Sequence, residues 1–422
     1  MGRSAHREAG IYFDRALASL EHLPKSRHIL EQAIDLRLDL RNALFPLEEL
    51  ERLLENLRAA ESLSEGLGDQ RRLGRISGYL VHYYTLMGDR EKATESGRRG
   101  LALAQALGDF ALQIQLNYYL GRAYYYMGDY GKAIEFHGRN IASLSNATAR
   151  DCFDMECPPS ILCRVFLVMC FAETGEFGVA IEYGTDAIRI AHEIDHSFGS
   201  IYADFGIGFA YLRKEDVSAA IAVLERGLER CRVADIPVQF PLVASALGLA
   251  YVLSGRVAEG TALLEQAVGQ TASKRSSGQA FRLSWLSDAY LRAGRIEEAG
   301  SHAELALEFS RNYQERGREA WILRQIGKIH ARRNPTDGDR IEFYYRQALR
   351  QANELKMRPL VANCYLGLGE LYAQTEQTDK AQKELSAAID LFRSMEMISR
   401  LRQAESSLAK ISGTTPSMSL SS

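Results

Sequence analysis

The chain has 422 residues, 46% hydrophobic and 25% charged, with 51 Lys and Arg against 54 Asp and Glu and a net charge of −3. That apolar content builds a core and excludes a disordered protein, while the balance of charge gives no field to draw the chain onto nucleic acid or an anionic membrane. No stretch approaches the roughly 18–20 apolar residues of a membrane span, and six cysteines are too few for a disulfide framework, which points to reduced thiols in a cytoplasmic protein.

The opening MGRSAHREAGIYF lacks the apolar centre of a signal peptide and runs straight into an amphipathic pattern. A lone helix is expected within residues 1–24, followed by an array of nine helix pairs over 25–395. The first pair is read from ESLSEGLGD (61–69), which matches LALAQALGD (101–109) one unit later. Then one phrase recurs: LMGDREKA (86–93), YMGDYGKA (126–133), AETGEFGVA (172–180), LSGRVAEG (253–260) and LRAGRIEEA (291–299). Two weaker units follow, one with Gly327, Ala348 and a turn widened by NPTDGD (334–339), the last with Gly369, Tyr372 and Ala381. A capping helix over 396–411 and a small, polar, frayed tail over 412–422 complete the reading.

Each phrase has a turn Gly (Gly88, Gly128, Gly175, Gly255, Gly294), an aromatic four residues before it and a small residue five after it. The turn Gly takes positive φ where the first helix ends. The small residue lets the second helix cross the first closely, and the aromatic fills the wedge between helices. A second Gly further upstream (Gly121, Gly208, Gly248, Gly327, Gly369) is expected to admit the neighbouring repeat. The spacing from Gly88 to Gly128 is 40 residues, as it is from Gly175 to Glu215 and from Glu215 to Gly255. This grammar resembles the tetratricopeptide repeat (TPR), whose minimal unit is about 34 residues. The resemblance implies an all-α, right-handed TPR superhelical solenoid with a concave face lined by first helices. One interval, Gly128 to Gly175, is 47 residues, and the excess lies in SNATARDCFDMECPPS (145–160). It reads either as a bare insertion at a repeat junction or as a rim element that touches a ligand.

Signals of chemistry are weak against this frame. His192-Glu193-Ile194-Asp195-His196 has the zincin spacing, but it falls where LALAQALGD ends, so the two imidazoles straddle a helix terminus. Cys152, Cys157, Cys163 and Cys170 lack the short spacing of a zinc knuckle. Gly131-Lys132 and Gly327-Lys328 lack the upstream Gly of a phosphate loop, and no G-x-S-x-G elbow occurs. Asn146-Ala147-Thr148 fits a glycosylation acceptor without a secretory context. No catalytic residue, metal site or cofactor is expected.

Binding is expected instead. Counting inward-facing positions of successive first helices gives Tyr118, Arg122 and Tyr125, then Leu162, Val165 and Met169, then Tyr202, Phe205, Phe209 and Leu212. Leu242 and Leu249 follow, then Phe281 and Asp288. The middle of this groove is apolar and aromatic, and its flanks are polar, with Arg75 and His82 before it and Lys328 and Glu370 after it. Exposed, these side chains would form a docking surface for an apolar helix or peptide; a shift of one residue would place several of them between helices.

Two segments carry a narrower resemblance. AIDLRLDLRNALFPLEELERLLENLRAAESLSEGLGD (33–69) and LSAAIDLFRSMEMISRLRQAESSLAKI (385–411) are similar to the C-terminal TPR region of large bacterial signalling proteins. Those proteins carry a class III adenylate/guanylate cyclase domain and a P-loop ATPase ahead of the repeats; neither is found in this sequence. The resemblance implies a non-catalytic scaffold or sensor that binds a protein, a peptide or a neighbouring signalling domain, with no nucleic acid or membrane partner. The alternative is a sensor whose groove closes on a small molecule and changes the shape of the superhelix.

Overall fold

Local sequence sets each helix start. Asp69, Asp89, Asp129, Asp216 and Asp337 occupy N-caps, each accepting from the backbone N–H three residues on. Such a cap stabilises a helix by about 1 kcal/mol over Ala. At the preceding turns, Gly88, Gly128, Gly175, Gly255 and Gly294 all have positive φ, as the repeat phrase predicts. Glu215 takes the same conformation, at φ +61°, without being Gly.

The computed structural model describes residues 2–47, 49–145, 148–270 and 278–412. The Asn146-Ala147 half of the acceptor tripeptide and the tail beyond 412 lie outside them. The described residues form twenty α-helices and no strand. They fall into two compact units, 1–123 with 153–155, and 124–152 with 156–422.

The first unit holds α1 (Gly2–Glu21), α2 (Arg27–Leu47), α3 (Leu50–Leu67), α4 (Gln70–Leu86) and α5 (Arg90–Leu107). Helix α6 (Phe110–Met127) is shared, with its last four residues in the second unit. The second unit continues with α7 (Tyr130–Ser143), α8 (Pro159–Thr174), α9 (Phe177–Glu193), α10 (Ser197–Lys214) and α11 (Val217–Val233). Then come α12 (Phe240–Leu253), α13 (Val257–Gln270), α14 (Gln279–Arg292), α15 (Ile296–Asn312) and α16 (Arg316–Arg333). It ends with α17 (Gly338–Glu354), α18 (Arg358–Gln374), α19 (Thr378–Ser394) and α20 (Ile398–Ser412).

Small residues and aromatics do separate jobs in each pair. Ala93, Ala133, Ala180 and Ala299 are fully buried where the second helix crosses the first. At the α12–α13 crossing both partners are glycines: a Cβ on Gly248 would meet the Gly260 carbonyl at 2.9 Å and Leu264 at 2.8 Å. The upstream Gly therefore admits the second helix of its own pair, not the neighbouring repeat as expected from sequence. The wedge tyrosines reach back to the preceding second helix, Tyr251 donating to Glu225 at 2.7 Å and Tyr290 to Glu265 at 2.9 Å.

In the second unit the first helices also pack side by side, in the order α8, α10, α12, α14, α16, α18, α20. That row bends back on itself, because α8 also touches α18. Gly175, at the α8–α9 turn, shows how close the approach is. It has φ +86°, and an added Cβ would lie 3.2 Å from Pro359 Cδ and overlap the Met395 sulfur. Its lack of a side chain is needed twice, for the turn and for the contact.

Candidate functional site

The bend decides what becomes of the expected groove. Val165, Met169, Phe205, Phe209, Leu212 and Leu249 are buried, as are Leu162 and Tyr125. Tyr202, Leu242 and Phe281 keep partial exposure, and Asp288 is buried. In the first unit Tyr118 is buried and Arg122 is half-buried. The aromatics form a continuous chain of ring contacts: Tyr202 stacks on Phe205 at 6.2 Å, Phe205 lies tilted against Phe209 at 6.2 Å, Phe209 meets Phe281 edge-on at 5.8 Å and Phe281 stacks on Trp285 at 5.2 Å. The open apolar strip that periodicity suggests is therefore largely a second core. Inward positions of first helices face each other once the row curves, and most of their apolar side chains leave water.

A cavity of about 80 Å3 opens among the first helices of the second unit. Its wall combines charged, aromatic and aliphatic side chains, drawn from the carboxyl-terminal ends of α10 and α12, from both halves of α14 and α16, and from Arg400 of α20. Beside it, Arg213 donates through Nε and Nη2 to Glu173 Oε1 at 3.0 and 2.8 Å, and Trp321 Nε1 donates to Glu173 Oε2 at 2.8 Å. The Arg213 guanidinium also lies over the rings of Trp321 at 4.2 Å and Phe209 at 4.7 Å. On the facing wall, Lys328 Nζ donates to Asp288 Oδ1 at 2.6 Å and Arg292 Nε to Oδ2 at 3.0 Å. Arg400 Nε donates to Glu215 at 2.6 Å, which gives the left-handed turn residue a structural task a Gly would not perform. Arg318 pairs with Glu315, and its guanidinium covers Tyr126 at 4.7 Å and Phe281 at 4.3 Å.

The ionisation of these groups follows from burial and neighbours. Burial alone would raise the Asp288 carboxyl, but Lys328 and Arg292 outweigh it and hold the group well below the usual carboxylate range. Burial pushes the Lys328 ammonium down to about 8, Asp288 opposing and Arg324 and Arg292 adding to the fall. Burial also lowers Arg324, with Arg400 as the next cause.

The sequence places Leu212, Leu249, Phe281, Asp288 and Lys328 at this site but misses Glu173, Arg213, Arg324, Arg400 and both tryptophans. A usable signal exists: Glu173 and Arg213 are 40 residues apart, as are Asp288 and Lys328. Opposite charges one period apart on first helices are the mark of a pair across neighbouring repeats. Of the other flanking residues, Arg75 approaches Asp154 at 3.9 Å and His82 receives Arg41 at 2.8 Å within the first unit. Glu370 accepts from Gln403 at 2.9 Å in the second.

His192 lies in the last turn of α9, whereas His196 is the N-cap of α10 and accepts from the Gly199 N–H at 3.0 Å, so the two imidazoles belong to different elements. Among the described residues no group of three His, Cys, Asp or Glu side chains is disposed to hold a metal ion. The cysteines are free thiols, and burial pushes Cys163 and Cys364 up to about 12, where a thiolate does not form at neutral pH. The tip of the 145–160 segment packs within the first unit: the Phe153 carbonyl accepts from Gln115 and its ring meets Phe110 at 5.8 Å. No helix among the described residues is long and apolar enough to cross a membrane.

These features define a helical-repeat protein of tetratricopeptide-like fold. Residues 362–394 match the model of the tetratricopeptide repeat family. A Rap protein complexed with competence and sporulation factor is similar in structure, with TM-score 0.59 and 11% identity over 90% of this chain and 99% of that one. The Rap conjugation gene regulator of the plasmid pLS20, in complex with the Phr peptide, has TM-score 0.52 and 17% identity over 91% and 96% of the two chains. A signal transduction ATPase with a tetratricopeptide repeat sensor from Pyrococcus horikoshii reaches TM-score 0.46 and 14% identity, over 89% of this chain and 55% of that one. No curated protein sequence matches the chain.

Proposed function

We propose that the chain is a non-catalytic binding module of bacterial signalling, cytoplasmic, which holds a peptide or protein at the inner face of the first helices of its second unit. The observation that carries this reading is the cavity among the first helices of the second unit, with charged and aromatic side chains in its wall. Buried charge is expensive to keep unless something uses it, and convergent polar groups in a concave site are the usual mark of recognition. Two solved structures of this fold hold a signalling factor or peptide, which supports the same class of ligand here. The partner is a free peptide or a segment of a neighbouring signalling domain, and the partly exposed Tyr202, Leu242 and Phe281 would contribute apolar contact around the charged centre.

A second reading is favoured by the size of the cavity. At about 80 Å3 it has room for several waters or a small ligand. A small-molecule sensor fits that volume, whereas a peptide would place a side chain inside and lie across the mouth.

The chain's two tryptophans, Trp285 and Trp321, both line the cavity, so tryptophan emission reports on this site. Titration with pools of short peptides should give a saturable change in emission for at least one pool. Emission that stays constant against every pool, with the protein folded, would rule the reading out.

A further inference from the structure

Two Lys–Asp pairs of nearly equal length behave in opposite ways. At the start of α5, Lys92 Nζ donates to Asp89 at 2.7 Å in the open, and the carboxylate raises the ammonium above its ordinary range. In the cavity Lys328 Nζ donates to Asp288 at 2.6 Å, yet the ammonium is pushed down to about 8. Burial is the largest cause and outweighs Asp288, and Arg324 and Arg292 add to the fall. Arg400 of α20 lines the same wall, and Glu215 pairs with it and also acts on Arg324. A lysine short of solvent and crowded by guanidinium groups gives up its proton easily, which turns a cation into a nucleophilic amine. Its side chain is 24% exposed and borders about 80 Å3 of open space, so a small reagent can reach Nζ.

We propose that Lys328 is a carbon dioxide acceptor, a modification site at which the free amine is reversibly carbamylated. The ammonium first loses a proton to water. The Nζ lone pair then forms a bond to the carbon of CO2, one C=O pair moves onto oxygen, and a second proton passes from nitrogen to water. No oxidant or reductant is needed. The product suits this wall on three counts. It replaces a positive charge with a negative one, so the guanidinium groups that disfavour the ammonium favour the carbamate. It keeps one N–H on Nζ, which can go on donating to Asp288. And Asp288, the group opposed to a second anion, remains tied to Arg292 Nε at 3.0 Å. An aldehyde is the competing reagent, but its protonated imine keeps the positive charge and relieves none of the crowding. The inference goes beyond the proposed function and needs no peptide in the cavity, so the two stand or fall separately.

The test equilibrates the full chain with 13C-labelled carbon dioxide and bicarbonate at pH 7.5. Carbamate is trapped with a trialkyloxonium salt and located by digestion and mass spectrometry, in wild type and in Arg324→Gln, with thermal melting to establish that each is folded. The α-amine of the chain, which titrates at ~8 in any peptide, is the internal standard for trapping, and Lys92 is the exposed, Asp-paired comparison. The expected result is carbamate on Lys328 at least tenfold above that on Lys92. Occupancy should fall several-fold in Arg324→Gln, since removing that guanidinium both favours the ammonium and disfavours the carbamate. A 13C resonance lost in a folded Lys328→Arg variant would give the same assignment without trapping. A labelled α-amine with Lys328 bare overturns the proposal. Carbamate on Lys328 no greater than on Lys92, or unchanged in Arg324→Gln, overturns it as well. Acetaldehyde with cyanoborohydride is the second probe: alkylation of Lys328 without carbamate shows a free amine that CO2 does not take, and also overturns it.

Discussion

Two arginines of the second unit, Arg213 and Arg324, face the same cavity under opposite conditions. Arg213 is held by both a carboxylate and aromatic faces, and Glu173, only 1% exposed, has each oxygen engaged by a donor. Arg324 meets one neutral oxygen. The difference lies in what stands one period away along the chain. For Arg213 that residue is Glu173, whereas Arg324 is flanked at 40 residues before by Ser284 and at 39 after by Asn363. The first arrangement completes itself and can be expected to hold helices together. The second is left to be completed by something else. Architecture and recognition are thus separated by the choice of a few side chains on equivalent faces.

The sharpest way to break this contrast is to remove Glu173. Glu173→Ala leaves Arg213 buried without its counter-charge, and losing one partner of a buried pair destabilises by about 3–5 kcal/mol. Urea unfolding followed through tryptophan emission should show that fall, and a loss below about 1 kcal/mol would mean the cluster is not structural. A loss of similar size, about 3–5 kcal/mol, is expected for Phe209→Ala from cavity formation, since the ring is 1% exposed and stacked by Arg213. Unchanged stability in that variant would return Phe209 to the role of an exposed docking residue. Arg324→Gln should cost less than Glu173→Ala, because it removes a cation bonded to a neutral amide and leaves no carboxylate unpaired. A large loss of stability there would make Arg324 structural as well.

The smallest expected effect is a pH dependence. Lys328 is pushed down to about 8 and is faced by Asp288 and Arg292 from α14, by Arg324 from its own helix and by Arg400 from α20. As pH rises through about 8 the cavity loses one positive charge. The folded pKa lies below that of an unfolded lysine, so the unfolded chain binds more protons across that interval and stability rises with pH there. Lys328→Arg, which keeps its charge, should flatten that rise in urea unfolding between pH 8 and 10; an unaltered slope would assign the titration to another group.

The fold was legible in the sequence because its signals are local. A Gly at positive φ, an Asp that caps the next helix and a small residue at the crossing act within a dozen residues, and their recurrence announces the architecture. The site was legible where it obeys the same period, as with Asp288 and Lys328, and where inward positions of first helices reach it, as with Leu212, Leu249 and Phe281. Trp321 and Glu173 are 148 residues apart and meet because the row of first helices curves. Curvature accumulates from small rotations at every junction, and no single phrase of the sequence carries it. The same cause turned Phe205 and Phe209 from an expected surface into interior. The upstream glycines were misassigned for a simpler reason: sequence spacing shows that a close approach exists, not which neighbour makes it.

The contact of early turns with late helices has a consequence for how the second unit comes apart. In a linear array each repeat feels only its neighbours, and removing the last one leaves the first unaware. Here the α8–α9 turn rests on Pro359 and Met395, the Tyr130 hydroxyl reaches the Met357 sulfur at 4.0 Å, and Arg400 of α20 holds the α10–α11 turn through Glu215. Loss of the final helix would therefore be registered nearly two hundred residues upstream. Such a unit should melt as one cooperative body, and a ligand that loosens its seam would be felt by every repeat in it.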